Sequence, residues 1–192
     1  MIVRSLAILM FALLCVPTSA AFQVAGVDIP ETAVINGLDR PLVLNGAGVR
    51  KKLFISVYVA ALYLPQRQTG VGDLLSDPPP NRVAMHFVYS EVAKRKLDEG
   101  WIEGFGQNLT AQRLVAVQSR LQRFIALFGD MYRGDRVWLD YVPGRGTVVT
   151  VNDEVRGDIE GADFNAALLA VWLGDEPVSS SLKKALLGTD NL

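Results

Sequence analysis

The sequence predicts an α+β domain in which a large antiparallel sheet is covered on one face by a layer of helices. Three observations lead there. Segments of β-type composition fall in two groups, residues 24–89 and 135–158, with a helical block between them. Two more helical segments close the chain. Strands and helices do not alternate one by one, which argues against a parallel sheet.

The elements follow in order. Met1 to Arg4 form a basic start, Ser5 to Val16 ("SLAILMFALLCV") an apolar run of 12, and "PTSAA" supplies small residues at cleavage-like spacing. This pattern is a signal peptide over residues 1–21, cut after Ala20 or Ala21, and implies export to the periplasm. The run is shorter than the roughly 18 residues that span a bilayer, so no membrane span is expected in the mature form. Residues 22–192 then make a single domain. Val24 to Leu44 reads as strands and turns, with an Asn-Gly hairpin signal in "INGLD". Leu53 to Leu64 is rich in β-branched and aromatic residues and reads as a covered central strand, with a buried helix as the competing reading. "SDPPPN" at 76–81 is a loop, and Arg82 to Tyr89 another strand.

Glu91 to Leu109 and Ala111 to Phe128 read as helices. The second carries a stripe of Leu114, Val117, Leu121, Phe124 or Ile125, and Phe128, and Gly129 stops it. "RVWLDYVP" and "GTVVTVND" flank a "PGRG" turn and form a hairpin. Two helices follow, "DFNAALLAVWLG" with Asp163 as its N-cap, and "VSSSLKKALLG" capped by Ser179 or Ser180 and ended by Gly188.

Composition excludes several chemistries. Cys15, the only cysteine, lies in the signal segment, so the mature chain has neither disulfide nor cysteine nucleophile. With one histidine, His86, set inside an apolar strand, no zinc pattern exists, and His86 reads as a structural residue. "NGAGVR" lacks the spacing of a phosphate-binding loop, and no cofactor is expected. Without Arg4 the chain has 18 basic and 20 acidic residues, the basic ones scattered, so nucleic acid is not an expected partner. No heptad stripe sets an oligomeric state.

One stretch asks for more. In "LNGAGVRKKLFISVYVAALYLP" (44–65) a small-residue turn delivers Arg50 to the start of an apolar strand. Counting parity along 50–64 places Arg50, Phe54, Ser56 and Tyr58 on one face, and Leu53, Ile55 and Val57 on the other. The first face has the makeup of an amphipathic pocket wall. Eight extended residues cover roughly 26 Å, so Arg50 and Tyr58 meet only if the chain folds back, with Lys51-Lys52 as the expected turn. A strand-end arginine in solvent with Tyr58 in the core is the alternative.

Three segments resemble the chalcone isomerase superfamily, in particular its bacterial chalcone isomerase-like branch. They are "LNGAGVRKK" with "YVAALYLP", "RVAMHFVYSEVAKRKLDEGWIEGF", and "LAVWLGDEPVSSSLKKALLG", in the family's order from about residue 44 to 188. The resemblance implies an open-faced β-sandwich with a ligand cleft between sheet and helices. In plant chalcone isomerases the matching arginine binds the flavonoid and stabilises the phenolate that closes onto the enone. Arg50 matches it. The catalytic threonine falls at Tyr58, the water-positioning tyrosine near Lys94 and the pocket asparagine near Trp101, so the groups that position the reactants are replaced. Members of the superfamily that bind fatty acids hold the carboxylate with the arginine and a tyrosine. The resemblance therefore implies an exported binding protein for a small amphipathic carboxylate such as a fatty acid, with Arg50, Tyr58 and Trp101 as ligand-binding residues. An isomerase (intramolecular lyase) for a chalcone-like enone is the alternative. Trp101 and Phe105 either line the cleft or pack as helix-sheet core.

Overall fold

The structure, a computed structural model, describes residues 21–189; apart from Ala21, the segment read as a signal peptide lies outside the described residues. The described chain begins with a hairpin of β1 (Ala21–Val24) and β2 (Val27–Pro30). Next come β3 (Thr32–Ala33) and β4 (Leu42–Lys52), antiparallel partners joined through the Asn36-Gly37 turn that the sequence predicts. After β5 (Ile55–Leu64) the chain makes a short helix, α1 (Gly72–Ser76), then β6 (Asn81–Phe87) and β7 (Glu91–Val92). The helical block is α2 (Lys94–Asn108) and α3 (Ala111–Ala126). Then β8 (Met131–Tyr132) returns to pair with β7. The strands β9 (Arg136–Val142), β10 (Gly146–Val151) and β11 (Glu154–Ile159) precede α4 (Ala162–Leu173) and α5 (Ser180–Leu186).

Seven strands make one antiparallel sheet in the order β11-β10-β9-β6-β5-β4-β3. Side chains of a strand alternate between its two faces, and here each face has its own core. Tyr58, Ala60, Leu62 and Leu64 of β5 meet α2 to α5, whereas Val59, Ala61 and Tyr63 meet Ile29, Ala33, Ile35 and Leu42 beneath the first strands. The helix layer is the larger core. The stripe expected on α3 is in place, with Val117, Leu121, Phe124 and Ile125 buried, and α4 is buried all round, as its uniformly apolar sequence requires. No described helix is long and apolar enough to cross a membrane.

Two local expectations change. Asp163 is not the N-cap of α4; Gly161, at φ +103°, holds that position, and Asp163 sits in the first turn, where its carboxylate accepts hydrogen bonds from Arg120 at 2.7 and 2.6 Å. A carboxylate there still favours the positive end of the helix dipole. The stretch Asn45-Gly46-Ala47-Gly48 is not a turn but the middle of β4. Its glycines face α5: a Cβ on Gly48 would stand 2.6 Å from the Ala185 Cβ, and one on Gly46 would run into the Ala185 carbonyl. The small residues let a helix lie directly on the strand.

Candidate functional site: an apolar cleft at the end of the β4–β5 hairpin

Position along β4 decides which way Arg50 points, and one extra residue sets that position. Leu44 pairs with Tyr63 and Gly46 with Leu62, so Asn45 is a bulge without a partner of its own on β5. Its amide donates to the Leu186 carbonyl at the end of α5 (2.7 Å) and accepts from the Gln68 N–H (2.7 Å). The bulge exchanges the faces of everything after it. Leu42 and Leu44 point to the small core, while Gly46, Gly48 and Arg50 point to the helix layer.

The fold-back that Arg50 and Tyr58 require is present, two residues later than expected. Leu53 and Phe54, not Lys51-Lys52, make the turn, with Leu53 in the left-handed region at φ +54°. Arg50 and Tyr58 become directly opposite residues of an antiparallel pair, whose Cβ atoms stand about 5 Å apart. A second bulge follows, because Lys51 pairs with Ser56 and leaves Val57 as the extra residue. For that reason strict parity fails here: Ile55 and Val57 line the cleft with Tyr58, whereas Ser56 and Phe54 do not.

The cleft holds about 800 Å³. Its floor is the end of the sheet (Arg50, Val57, Tyr58, Met85, Phe87) and its roof is α2 (Leu97, Gly100, Trp101, Gly104), with Val171 of α4 and Val178 at the back. All three residues singled out from the sequence, Arg50, Tyr58 and Trp101, therefore line one cavity. Gly104 lets the roof approach α4, since a Cβ there would meet the Val171 side chain at 2.9 Å.

Electrostatically the cleft is asymmetric. Arg50 is half-buried, donates to the Lys51 carbonyl, and has no carboxylate within ion-pair distance among the described residues. Tyr58 is 8% exposed; burial pushes its phenol up to about 12, against the pull of the Trp172 hydrogen bond and the Arg50 charge. At neutral pH it is an uncharged phenol. Its oxygen accepts the Trp172 indole N–H at 3.0 Å, and no acceptor among the described residues takes its own O–H. Trp101 is buried, stacks edge-on against Trp172 (centroids 5.6 Å) and has an indole N–H without a protein partner among the described residues. An unpaired buried donor next to a cleft is a position a ligand acceptor can satisfy. Arg50 and Tyr58 thus place a guanidinium and an uncharged phenol side by side at one end of the cleft, with apolar walls behind them.

Trp172 escaped the sequence reading. It lies on a helix whose uniform apolarity hides any stripe, and only the need of a buried indole N–H for an acceptor hinted at it. Two other positions resolve plainly. His86 alternates onto the sheet face away from the cleft, where burial and Arg136 hold its pKa down. Phe105 is fully buried in the core and does not line the cleft, as the packing alternative expected.

The chalcone isomerase-like family profile matches residues 21–188. No curated protein sequence matches the chain. Among solved structures, a fatty-acid binding protein from Arabidopsis thaliana superposes with a TM-score of 0.66 at 18% identity, over 84% of this chain and 92% of that one. At that identity the likeness is one of fold, and the fold is the one predicted: a large antiparallel sheet with helices on one side.

Proposed function

Because this chain belongs to the chalcone isomerase-like family, we propose that it is a non-catalytic binding protein for a small amphipathic carboxylate, a fatty acid being the best fit. The observation that carries this reading is the pairing of Arg50 with Tyr58 across the hairpin, at one end of an apolar cleft of about 800 Å³. A carboxylate would take the guanidinium and the phenol O–H, and the chain would lie along Leu97, Met85, Phe87 and Val178. The structural neighbour that binds fatty acids supports the same reading. So does Lys94, at the position where catalytic relatives are expected to hold a water-positioning tyrosine. Its ammonium is engaged with Asp98 (2.8 Å) and the Ile125 carbonyl (3.2 Å) and does not line the cleft.

The reading includes membership of the bacterial branch and export to the periplasm as a single domain from residue 22. N-terminal sequencing of protein recovered from a periplasmic extract checks the cleavage site at Ala20 or Ala21.

Two measurements test the ligand. Mass spectrometry of small molecules released on denaturing the purified protein should find a fatty acid. Displacement of a fluorescent fatty acid should weaken in Arg50→Gln by about 10- to 100-fold, the worth of a charge-assisted hydrogen bond. An empty cleft together with binding indifferent to Arg50 overturns the proposal. One observation favours the alternative isomerase: a neutral Tyr58 beside Arg50 can also donate to a developing enolate oxygen. Cyclisation of a chalcone above the buffer rate, lost in Arg50→Ala, would decide for it.

A further inference from the structure

We propose that the tip of the β4–β5 hairpin is a docking finger for an anionic lipid bilayer, which seats the mouth of the cleft against the membrane. The pairing of β5 with β6 ends at Tyr58 and Phe87, so Lys51 to Ser56 project beyond the sheet as a two-stranded arm. At its tip Leu53 is 87% and Phe54 99% exposed, with Ile55 half-exposed beside them. Nothing inside the fold accounts for these residues. A turn of this kind favours Gly or Asn, yet Leu53 holds the left-handed conformation at φ +54°. Both its backbone and its exposure oppose leucine there, and neither is offset by packing.

The chemistry around the tip selects the occupant. Lys51 and Lys52 flank the apolar turn and are exposed, and each draws the arm toward negative headgroups. Tyr89, exposed at the cleft mouth, adds an amphipathic ring of the kind that settles at a membrane interface. Of the carboxylates that line the cleft, Glu99 is already engaged by Arg95 and Lys96, Glu103 belongs to α2 and Glu91 to β7, and none belongs to the arm itself. The apolar patch is two or three side chains wide. A stable protein interface needs about 800 Å² on each partner, whereas a bilayer accepts a small wedge backed by charge. Three residues of strand reach roughly 10 Å, the depth of the headgroup and upper acyl region. Lys52, Leu53, Ile55 and Tyr89 all line the cleft mouth, so insertion of the tip brings that mouth to the lipid.

Flotation of the purified mature protein with vesicles tests this independently of what the cleft holds, because the vesicles carry no free fatty acid. Phosphatidylcholine vesicles containing phosphatidylglycerol should carry the protein, and pure phosphatidylcholine should carry much less. Phe54→Ser should weaken binding about tenfold or more, and Lys51→Glu with Lys52→Glu roughly fivefold per lysine removed. Both variants lie at exposed positions and should melt as the parent does. Absence of flotation, or flotation indifferent to Phe54→Ser, overturns the proposal. Tip-dependent self-association in light scattering without vesicle binding overturns it in favour of a second copy of the chain.

Discussion

Replacing Tyr58 by phenylalanine removes one oxygen, keeps the ring, and tests the polar end of the cleft from two directions. The first is packing. That oxygen accepts the Trp172 indole N–H at 3.0 Å, and both residues are buried, so the variant strands a buried donor. The cost is about 1–3 kcal/mol, or about 2–12 °C in Tm for a domain of this size. The second direction is pH. Native Tyr58 keeps its proton up to about 12, against an unperturbed value of 10.0. Above pH 10 the unfolded chain loses this proton first, so the unfolded state gains and stability falls until the native phenol also ionises. The loss from Tyr58 is about 3 kcal/mol between pH 10 and 12. Tyr63, also raised to about 12 by burial, adds a similar decline. Urea unfolding at pH 7 and at steps from 9 to 12 measures both effects. Tyr58→Phe should start lower at pH 7 and lose about half as much stability on the way to pH 12. Trp172→Phe in the same background should then cost little at this contact, since the stranded donor goes with it. A Tyr58→Phe protein as stable as the parent at pH 7, with an unchanged alkaline decline, would refute the reasoning.

Two further substitutions probe the frame of the site. Gly48→Ala places a Cβ 2.6 Å from that of Ala185 and should cost about 1–3 kcal/mol by pushing α5 off the strand. Ala185→Gly should recover part of this loss in a urea-unfolding cycle, and strictly additive effects would count against the contact. Gly100→Leu adds a side chain where nothing lies within 4 Å of the Cβ, on the helix that roofs the cleft. It should raise stability by up to about 1 kcal/mol through helix propensity. Fluorescent fatty-acid binding should fall in the same variant, and binding that survives intact would point to a site outside the cleft.

Periodicity made the helix layer readable. The stripe on α3, the uniform apolarity of α4 and the Ser179 cap of α5, which accepts the Leu182 N–H at 3.3 Å, all stand where sequence spacing puts them. The β9–β10 hairpin was equally plain around its "PGRG" turn. Strand β4 was not. Glycines in a row read as a turn because flexibility is their local property, whereas here they serve a helix that arrives more than 130 residues later. Likewise the turn at Leu53-Phe54 carries no Gly, Pro, Asn or Asp to announce it. Parity counting gave the right partner for Arg50 but the wrong neighbours, because the bulge at Val57 is fixed by pairing across strands and leaves no mark in one strand's own residues. The Trp172 contact with Tyr58 spans 114 residues and is a product of the finished fold.

The bulge at Asn45 also constrains how this protein can diverge. A one-residue deletion between Leu42 and Arg50 that leaves the leucines in their core would swing the guanidinium to the opposite side of the sheet, away from the cleft. Loss or gain of two residues would preserve the side on which Arg50 emerges. Among lineages that keep an arginine on this face of the sheet, length changes ahead of it should therefore come in even numbers, or in odd numbers matched by a second bulge. The strand behaves like a reading frame, in which a single slip is costly and a double one is silent.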